Sequence, residues 1–182
     1  VAWDGDELVG HNTDGWGLLE SLAVDQDLRP QGLRCVVFGA GGAARSVVRS
    51  LAEAGAAEVV VVNRTPERAE VAASLAGRAG RVGDLADVGH ADLVINATSV
   101  GMGASPDDRT STVVGAERLG PGQTVVDLVY LPVETPLLRL AAAAGAQPVD
   151  GIGMLVHQAA RAVALWTGTV PDVAAMKAAA RS

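Results

Sequence analysis

The chain has 182 residues, a formal net charge of −7 and an isoelectric point near 4.8, which argues against nucleic-acid binding because neutralising phosphates requires a basic face. Only 3% of the residues are aromatic, so the core must be built from Val, Leu and Ala. There is one cysteine, no secretion signal and no apolar run of the about 18 residues that a membrane span needs. These features predict a cytoplasmic protein with no internal disulfide and no nucleic-acid or membrane partner.

Short apolar runs separated by polar segments predict strands that alternate with helices. Residues 2–9 should form a β-hairpin, and a helix through Leu22 should follow, with Thr13 or Asp14 as its N-cap. Residues 25–32 should form a polar linker. Further strands are expected at 35–38, 58–62, 92–95, 123–129 and 148–149. Further helices are expected between Gly41 and Gly55, from Pro66 to about Gly77, and over 135–144, 153–166 and 171–180. This alternation predicts an α/β fold with a Rossmann-like, doubly wound parallel sheet.

Residues 39–44, Gly-Ala-Gly-Gly-Ala-Ala, form a G-x-G-x-x-A pattern between the first buried strand and its helix. Gly39 permits a tight turn, Gly41 allows the backbone to approach a phosphate, and Ala44 keeps the helix close to the strand. Free amides at the helix start would then face a bound anion. The pattern alone also fits a structural turn or a methyl-donor site, but strand, turn and helix together favour a dinucleotide site.

Residues 63–68, Asn-Arg-Thr-Pro-Glu-Arg, follow the next buried strand. An NAD site usually places an acidic residue here, where it binds the ribose 2′-hydroxyl. This chain instead carries Arg64 and, at the start of a helix, Arg68. Two guanidiniums beside a helix N-terminus suit a monophosphate, so the sequence favours NADP over NAD. The alternative is that both arginines are solvated, with Arg68 paired to Glu67 or Glu70.

The candidate stretches share one position in the predicted fold, because each directly follows a strand. They are 39–44, 63–68, 96–102 and 127–132. Since the carboxyl ends of parallel strands meet at one edge of a sheet, a ligand should lie across that edge. No cluster of His, Cys and carboxylate residues has the spacing of a metal site, so no metal is expected.

Six motifs, in order along nearly the whole chain, resemble those of the shikimate dehydrogenase family. They are Gly10-x-Asn12-Thr13-Asp14-Gly15, the Gly-Ala-Gly-Gly-Ala turn, Asn63-Arg64-Thr65, Asn96-Ala97-Thr98-Ser99-x-Gly101-Met102, Asp127-x-x-Tyr130 with Thr135-Pro136-Leu137, and Asp150-Gly151-x-Gly153-Met154-Leu155-Val156-x-Gln158. The resemblance implies NADP-dependent interconversion of 3-dehydroshikimate and shikimate, in aromatic amino-acid biosynthesis.

The resemblance also implies roles for single residues. Asp14 matches a catalytic aspartate that works beside a lysine in a cleft between two domains, and it would contact the substrate together with Tyr130 and Gln158. Gly151 and the backbone at Leu128 match positions near the nicotinamide. The implied cofactor-binding residues are Gly39, Ala40, Gly41, Gly42, Ala43, Asn63, Arg64, Thr65, Arg68, Thr98, Leu128, Gly151 and Met154.

The resemblance implies a division of the chain into three segments. Residues 1–22 would be a remnant of a substrate domain with a connecting helix, residues 23–150 the NADP-binding domain, and residues 151–182 helices packed at the cleft. The family's lysine lies upstream of every motif here, and the chain begins with Val1. We therefore expect a chain cut from a longer one, with little or no activity by itself.

The other proton carriers are not expected to act in catalysis. Lys177, the single lysine, should be solvent-exposed, and His11, His90 and His157 should have structural or surface roles. Two alternatives to the main interpretation stay open. One is a quinate/shikimate paralogue that uses NAD, and the other is an NADP-binding regulatory module without turnover.

Overall fold

Strands and helices alternate along the computed structural model, which describes residues 1–108 and 110–182. The strands are β1 (Ala2–Asp4), β2 (Glu7–Val9), β3 (Arg34–Phe38), β4 (Glu58–Val62), β5 (Gly80–Val82), β6 (Leu93–Asn96), β7 (Thr124–Asp127) and β8 (Gln147–Val149). The helices are α1 (Asp14–Gln26), α2 (Gly42–Glu53), α3 (Pro66–Ser74), α4 (Pro136–Ala143), α5 (Ile152–Thr167) and α6 (Val173–Ala180), with short 3₁₀ turns at Gly77–Ala79, Leu85–His90 and Ala116–Arg118. Within the described ranges, no helix is both long enough and apolar enough to cross a lipid bilayer.

The order of the strands in space is that of a doubly wound sheet. β1 and β2 pair as the predicted antiparallel hairpin, and the other strands form one parallel sheet in the order β5-β4-β3-β6-β7-β8. The chain moves outward from β3 to one edge and then, from β6, to the other edge. The predicted α/β fold with a Rossmann-like sheet is therefore confirmed. The direction of winding reverses between β3 and β6, where such sheets form a ligand crevice beyond the carboxyl ends of the strands.

Three elements differ from the sequence-based expectation. α1 continues to Gln26, into the stretch predicted as a linker and past the predicted segment boundary at residue 22. α3 ends at Ser74 rather than near Gly77, which has a left-handed φ of +56° and begins a 3₁₀ turn. The strand β5 was missed because Arg81 and Val82, two of its three residues, are exposed and produce no apolar run.

The sheet separates two apolar cores because successive residues of a strand point to opposite faces. Cys35 and Val59 lie on the face covered by α1, α2 and α3. Val36 and Val60 lie on the opposite face, which is covered by α4 and by apolar side chains of the connecting segments, Val88, Ala91, Val114 and Leu119. Burial, with a smaller effect of Asp92, raises the pKa of the Cys35 thiol to about 12. Cys35 is thus a small core residue and not a nucleophile.

A buried polar network joins the carboxyl ends of β6 and β7. The Asp127 carboxylate, which is fully buried, accepts hydrogen bonds from Asn96 Nδ2 (2.8 Å), Thr135 Oγ1 (2.7 Å) and the Val129 N–H (3.1 Å). Asn96 Oδ1 in turn accepts from the N–H (3.0 Å) and the hydroxyl (2.7 Å) of Thr98. Buried polar atoms need their partners, so the network fixes the two segments that leave these strands.

Asp25, near the end of α1, ties this helix to α5 and α6. Its carboxylate pairs with Lys177 of α6, lies 3.4 Å from Nε2 of the buried His157 on α5, and accepts a hydrogen bond from Ser21 Oγ (3.2 Å). Burial opposes ionisation of Asp25, but the hydrogen bond and charge of Lys177, together with His157, hold its pKa below the usual range. The expectation that Lys177 is solvent-exposed is wrong, because its side chain is only 24% exposed and is held in this ion pair.

Burial raises the pKa of Asp127, against the opposing effect of its three hydrogen-bond donors. A raised folded-state pKa means that ionised Asp127 costs stability at neutral pH, and that this cost disappears as the pH falls through the folded value toward the ordinary value of 3.8. Asp127→Asn removes the charge and keeps an acceptor oxygen for two of the donors. We expect the melting temperature of Asp127→Asn minus that of the unmodified protein to be largest near pH 7. This difference should decrease toward pH 4.

Thermal unfolding of both proteins across this pH range measures the difference. Asp6→Asn, in the exposed hairpin turn, is the matched control and should show no such trend. A difference for Asp127→Asn that is constant with pH, or that grows toward low pH, would contradict the raised pKa.

Candidate functional site

A cavity of about 710 Å³ opens at the carboxyl ends of β3, β4 and β6. Among the predicted cofactor residues, those that line it are Gly39, Ala40, Gly41, Asn63, Arg64 and Thr98. Apolar walls come from Leu85 and Val113. Sequence reasoning missed these two residues, because Leu85 begins a short 3₁₀ turn and Val113 lies in an irregular segment, and neither has a strand or α-helix pattern. The cavity lies in the crevice where the winding of the sheet reverses.

The glycines of the 39–44 turn serve different purposes. Gly39 has a φ of +106°, and a Cβ there would lie 2.9 Å from the Ala97 carbonyl oxygen, so the fold itself requires glycine. At Gly41 the φ is −79°, and a Cβ at Gly41 or Gly42 would meet no described heavy atom within 4 Å. The fold would therefore accept side chains at both positions, and the space that they leave open is available to a ligand.

The N-terminus of α2 supplies hydrogen-bond donors to this open space. Its cap residue, Gly41, has no side chain to accept from the first-turn amides, and none of the described side chains caps them. Ala44 is fully buried against the sheet, so α2 starts close to the end of β3. Uncapped amides at the positive end of a 12-residue helix favour an anion such as a pyrophosphate.

The two predicted cationic residues, Arg64 and Arg68, border the glycine turn through two different cavities. Arg64 lines the 710 Å³ cavity, whereas Arg68 lines a neighbouring cavity of about 450 Å³ that shares Ala40 and Gly41 with it. Both arginines are exposed, and neither takes part in an ion pair with any described residue. The ion pair of Arg68 with Glu67 or Glu70 is therefore not seen, whereas the solvent exposure of both arginines agrees with the alternative in which both are solvated.

The neighbouring cavity contains one cation that sequence reasoning missed. Arg45, near the start of α2, lines it opposite the α3 residues Arg68 and Val71. The signal was present, since Arg45 directly follows the G-x-G-x-x-A pattern, but an exposed helix residue carries no sign of its partner. Thr65, a predicted cofactor residue, lines neither cavity; it is exposed at the start of α3, and its side chain makes no capping hydrogen bond.

A second, smaller cleft of about 170 Å³ gathers the remaining predicted residues. The polar side chains in it are Asp14, Tyr130 and Gln158, and the other lining residues are Ala43, Leu128, Gly151, Met154 and Leu155. Ala43 was predicted with the pyrophosphate turn, yet it forms part of this cleft. The turn after β3 therefore borders both spaces, with Gly41 in the cavity and Ala43 in the cleft.

Close backbone contacts hold the walls of the cleft together. A Cβ at Gly151 would lie 2.7 Å from the Leu128 carbonyl oxygen, so the start of α5 can reach the end of β7 only with glycine at this position. A Cβ at Gly17 of α1 would lie 2.7 Å from the Gln158 backbone nitrogen. Glycine at these two positions therefore sets the distances of Gln158 from Asp14 and from Leu128.

The start of α1 is not capped as the sequence predicted. Thr13 occupies the N-cap position, but its side chain makes no capping hydrogen bond, and Asp14 is the first residue of the helix. The Asp14 N–H instead donates to Asn12 Oδ1 at 3.0 Å. The Asp14 carboxylate makes no hydrogen bond to another described residue, so it is free to bind a ligand in the cleft.

Comparison with known proteins identifies the family. Residues 22–129, more than half of the chain, match the model of shikimate / quinate 5-dehydrogenase, and residues 151–181 match that of the shikimate 5'-dehydrogenase C-terminal domain. The shikimate dehydrogenases (NADP(+)) of Geobacter metallireducens and Moorella thermoacetica are 43% and 45% identical over 97% and 93% of this chain. The chain belongs to the shikimate / quinate 5-dehydrogenase family.

A solved structure shows the same fold. Shikimate 5-dehydrogenase from Thermus thermophilus, in complex with NADP(H) and shikimate, is 42% identical over 93% of this chain, with a TM-score of 0.83. The chain covers 62% of that protein, and 64% and 59% of the two relatives. It thus spans less than two thirds of the proteins that it matches.

We expect Gly17→Ala to destabilise the protein, because the new methyl group would push α5 away from α1 at Gln158. Overpacking of this kind typically costs about 1–3 kcal/mol. Gly10→Ala is the matched control, since a Cβ at Gly10 would meet no described heavy atom within 4 Å. Denaturant unfolding of both variants tests this expectation. Equal stabilities would show that the two helices can separate without cost.

Proposed function

We propose that the protein is an NADP-dependent oxidoreductase that interconverts 3-dehydroshikimate and shikimate. The observation that carries this proposal is the adjacency of the two spaces: the turn that borders the large cavity at Gly41 borders the polar cleft at Ala43. Membership of the family supports the same reaction. A dinucleotide bound along this turn would bring its reactive end toward the side chains of Asp14 and Gln158.

The residues of the large cavity fit NADP. The empty space at Gly41 and Gly42 and the uncapped amides of α2 suit the pyrophosphate. Arg64 and Arg68 are suited to the 2′-phosphate, because a guanidinium forms charge-assisted hydrogen bonds with phosphate oxygens. Asn63, which precedes Arg64, donates its side-chain amide to the Thr65 carbonyl oxygen at 3.0 Å, and this bond shapes the loop that carries Arg64. We assign to Thr65 the role of accepting this bond with its carbonyl oxygen and so shaping the loop that carries Arg64.

The residues of the cleft fit a polyhydroxylated ring. NADP, when bound, supplies or accepts the hydride. The free Asp14 carboxylate can accept a hydrogen bond from a substrate hydroxyl, the Gln158 amide can both donate and accept, and Tyr130, which is 47% exposed, can reach a ligand from the rim. Met154 and Leu155 provide apolar surface that excludes water from this side. Oxidation of the substrate would transfer a hydride from the carbinol carbon to NADP and the hydroxyl proton to a base, which in the family is a lysine. Asp14 would orient that hydroxyl and stabilise the proton on the lysine.

We assign the three segments of the chain accordingly. Residues 23–150 form the NADP-binding unit, residues 151–182 cover the cleft through α5, and residues 1–22 carry Asp14 on the substrate side. Lys177 is not a candidate for the proton carrier at Asp14, because it pairs with Asp25. That pair lies near the C-terminal end of α1, whereas Asp14 begins the helix.

We expect the protein to bind NADPH more tightly than NADH, and Arg64→Ala to remove most of this preference. Loss of a charge-assisted hydrogen bond to the 2′-phosphate should cost about 1.5–3 kcal/mol in NADPH binding and leave NADH binding unchanged. Fluorescence titration of both cofactors measures the two affinities. Arg49→Ala, which removes an equal charge from an exposed pair with Glu53, is the control. Equal affinities in the unmodified protein would instead favour the NAD-using quinate/shikimate alternative.

We expect Asp14→Asn to lower kcat for shikimate oxidation by about 10²–10⁴-fold, the range for the loss of an acid–base partner. Because this chain is expected to have little or no activity by itself, the rate is measured in a protein that joins it to the lysine-bearing substrate domain of a family member. Formation of NADPH from NADP and shikimate is followed by absorbance. Glu20→Gln, on the same helix and outside the cleft, should retain activity. Tight NADPH binding without any turnover in that joined protein would support the regulatory-module alternative.

A further inference from the structure

The Ser46 hydroxyl on α2 bonds to the backbone that follows Asp14 and to the Asn12 side chain, which in turn accepts the Asp14 N–H. Ser46 Oγ donates a hydrogen bond to Asn12 Oδ1 at 2.8 Å and accepts one from the Gly15 N–H at 2.9 Å. Asn12 Oδ1 also accepts the Asp14 N–H at 3.0 Å. The two peptide groups that flank the Asp14 Cα are therefore both held by one pair of side chains.

These bonds replace the usual local cap of α1. The first amides of a helix lack acceptors within the helix and commonly bond to the N-cap side chain. Here the N-cap residue, Thr13, supplies none, and one acceptor, Ser46, belongs to a different helix. The start of α1 is thus positioned by α2 and not only by its own sequence.

The helix that supplies this contact is the one that begins at the cofactor turn. Ser46 lies one turn into α2, which starts at Gly42, and Ala43 of the same turn lines the cleft with Asp14. The two helices are in close contact at this point, since a Cβ at Gly15 would lie 2.8 Å from the Ser46 carbonyl oxygen. Displacement of the start of α2 would therefore displace Asp14 as well.

We propose that Ser46 and Asn12 are positioning residues that hold Asp14 in register with the cofactor turn. This inference rests on the proposed function, in which Asp14 contacts the substrate hydroxyl. The pair acts on the geometry of Asp14 relative to the cofactor and not on cofactor affinity, because neither side chain lines the large cavity. Removing it should lower kcat and leave the KM for NADP unchanged.

Ser46→Ala and Asn12→Ala test the proposal in the same shikimate oxidation assay, in the protein that joins this chain to the substrate domain. Small misplacement of a reacting group costs up to about 100-fold in rate, and we expect each variant to lose about 10-fold in kcat. The KM for NADP should stay within about twofold, since the free amides of α2 are untouched. Ser46→Thr keeps the hydroxyl and should restore kcat.

Ser50→Ala is the matched control for Ser46→Ala. Ser50 lies one turn further along α2 and also neighbours Gly15, but its hydroxyl makes no hydrogen bond to any described residue. Ser50→Ala should therefore keep full kcat. The double variant, Ser46→Ala with Asn12→Ala, should lose no more than the larger single loss, because the two residues act as one unit.

Three results would overturn the proposal: a kcat for Ser46→Ala equal to that of Ser50→Ala, a loss in Ser46→Thr as large as in Ser46→Ala, or losses in the double variant that multiply. Asn12→Ala changes a residue outside the helices, so it gives a result even if changes on α2 impair folding. The unmodified protein and Asp14→Asn, run in the same assay, separate this outcome from failure of the proposed function. If Asp14→Asn loses activity while Ser46→Ala does not, only the positioning role is wrong.

Discussion

The site depends on the close contact of α1 with α2 on one side and with α5 on the other. Gly15 faces α2 and Gly17 faces α5, and at both positions even a methyl group would overlap a backbone atom or come within 3 Å of it. A similar contact occurs where Gly153 of α5 meets Ser21. Because α1 carries Asp14 and α5 carries Gln158, glycine at these crossings determines the width of the polar cleft. α1 is in this sense the structural link between the start of α2 and the residues of the polar cleft on α5.

A second constraint fixes the opposite wall. The buried Asp127 carboxylate receives only donors, from Asn96, Thr135 and the Val129 N–H, and these bonds hold the segments that leave β6 and β7. Leu128 lies within this arrangement, and its carbonyl oxygen meets the backbone of Gly151. The residues of the cleft that come from the sheet are therefore held by buried polar bonds, whereas those from α1 and α5 are held by close packing.

The sequence predicts best what is contiguous along the chain. The order of the helices and of every described strand except β5, the glycine turn and the 63–68 loop could be predicted, because each has its pattern within a short stretch of the chain. The Ser46 contact with Gly15 spans 31 residues, and the Lys177 pair with Asp25 spans 152, so neither leaves a local pattern. Arg45 and β5 were missed for another reason: exposed residues carry no periodic burial signal.

The two carboxylates at the ends of α1 show how one helix divides structural and chemical roles. Asp25 is surrounded by Lys177, His157 and Ser21, and these contacts satisfy its charge and bind α1 to α5 and α6. The carboxylate of Asp14 has no such partner among the described residues, although its position in the first turn favours a negative charge through the helix dipole. An acceptor that is charged, half-buried and unpaired has full hydrogen-bonding capacity for a ligand. Since Asp25 holds the end of α1, and Asn12 and Ser46 bond the backbone at its start, the helix is held at both ends without a hydrogen bond to the Asp14 carboxylate from any described residue.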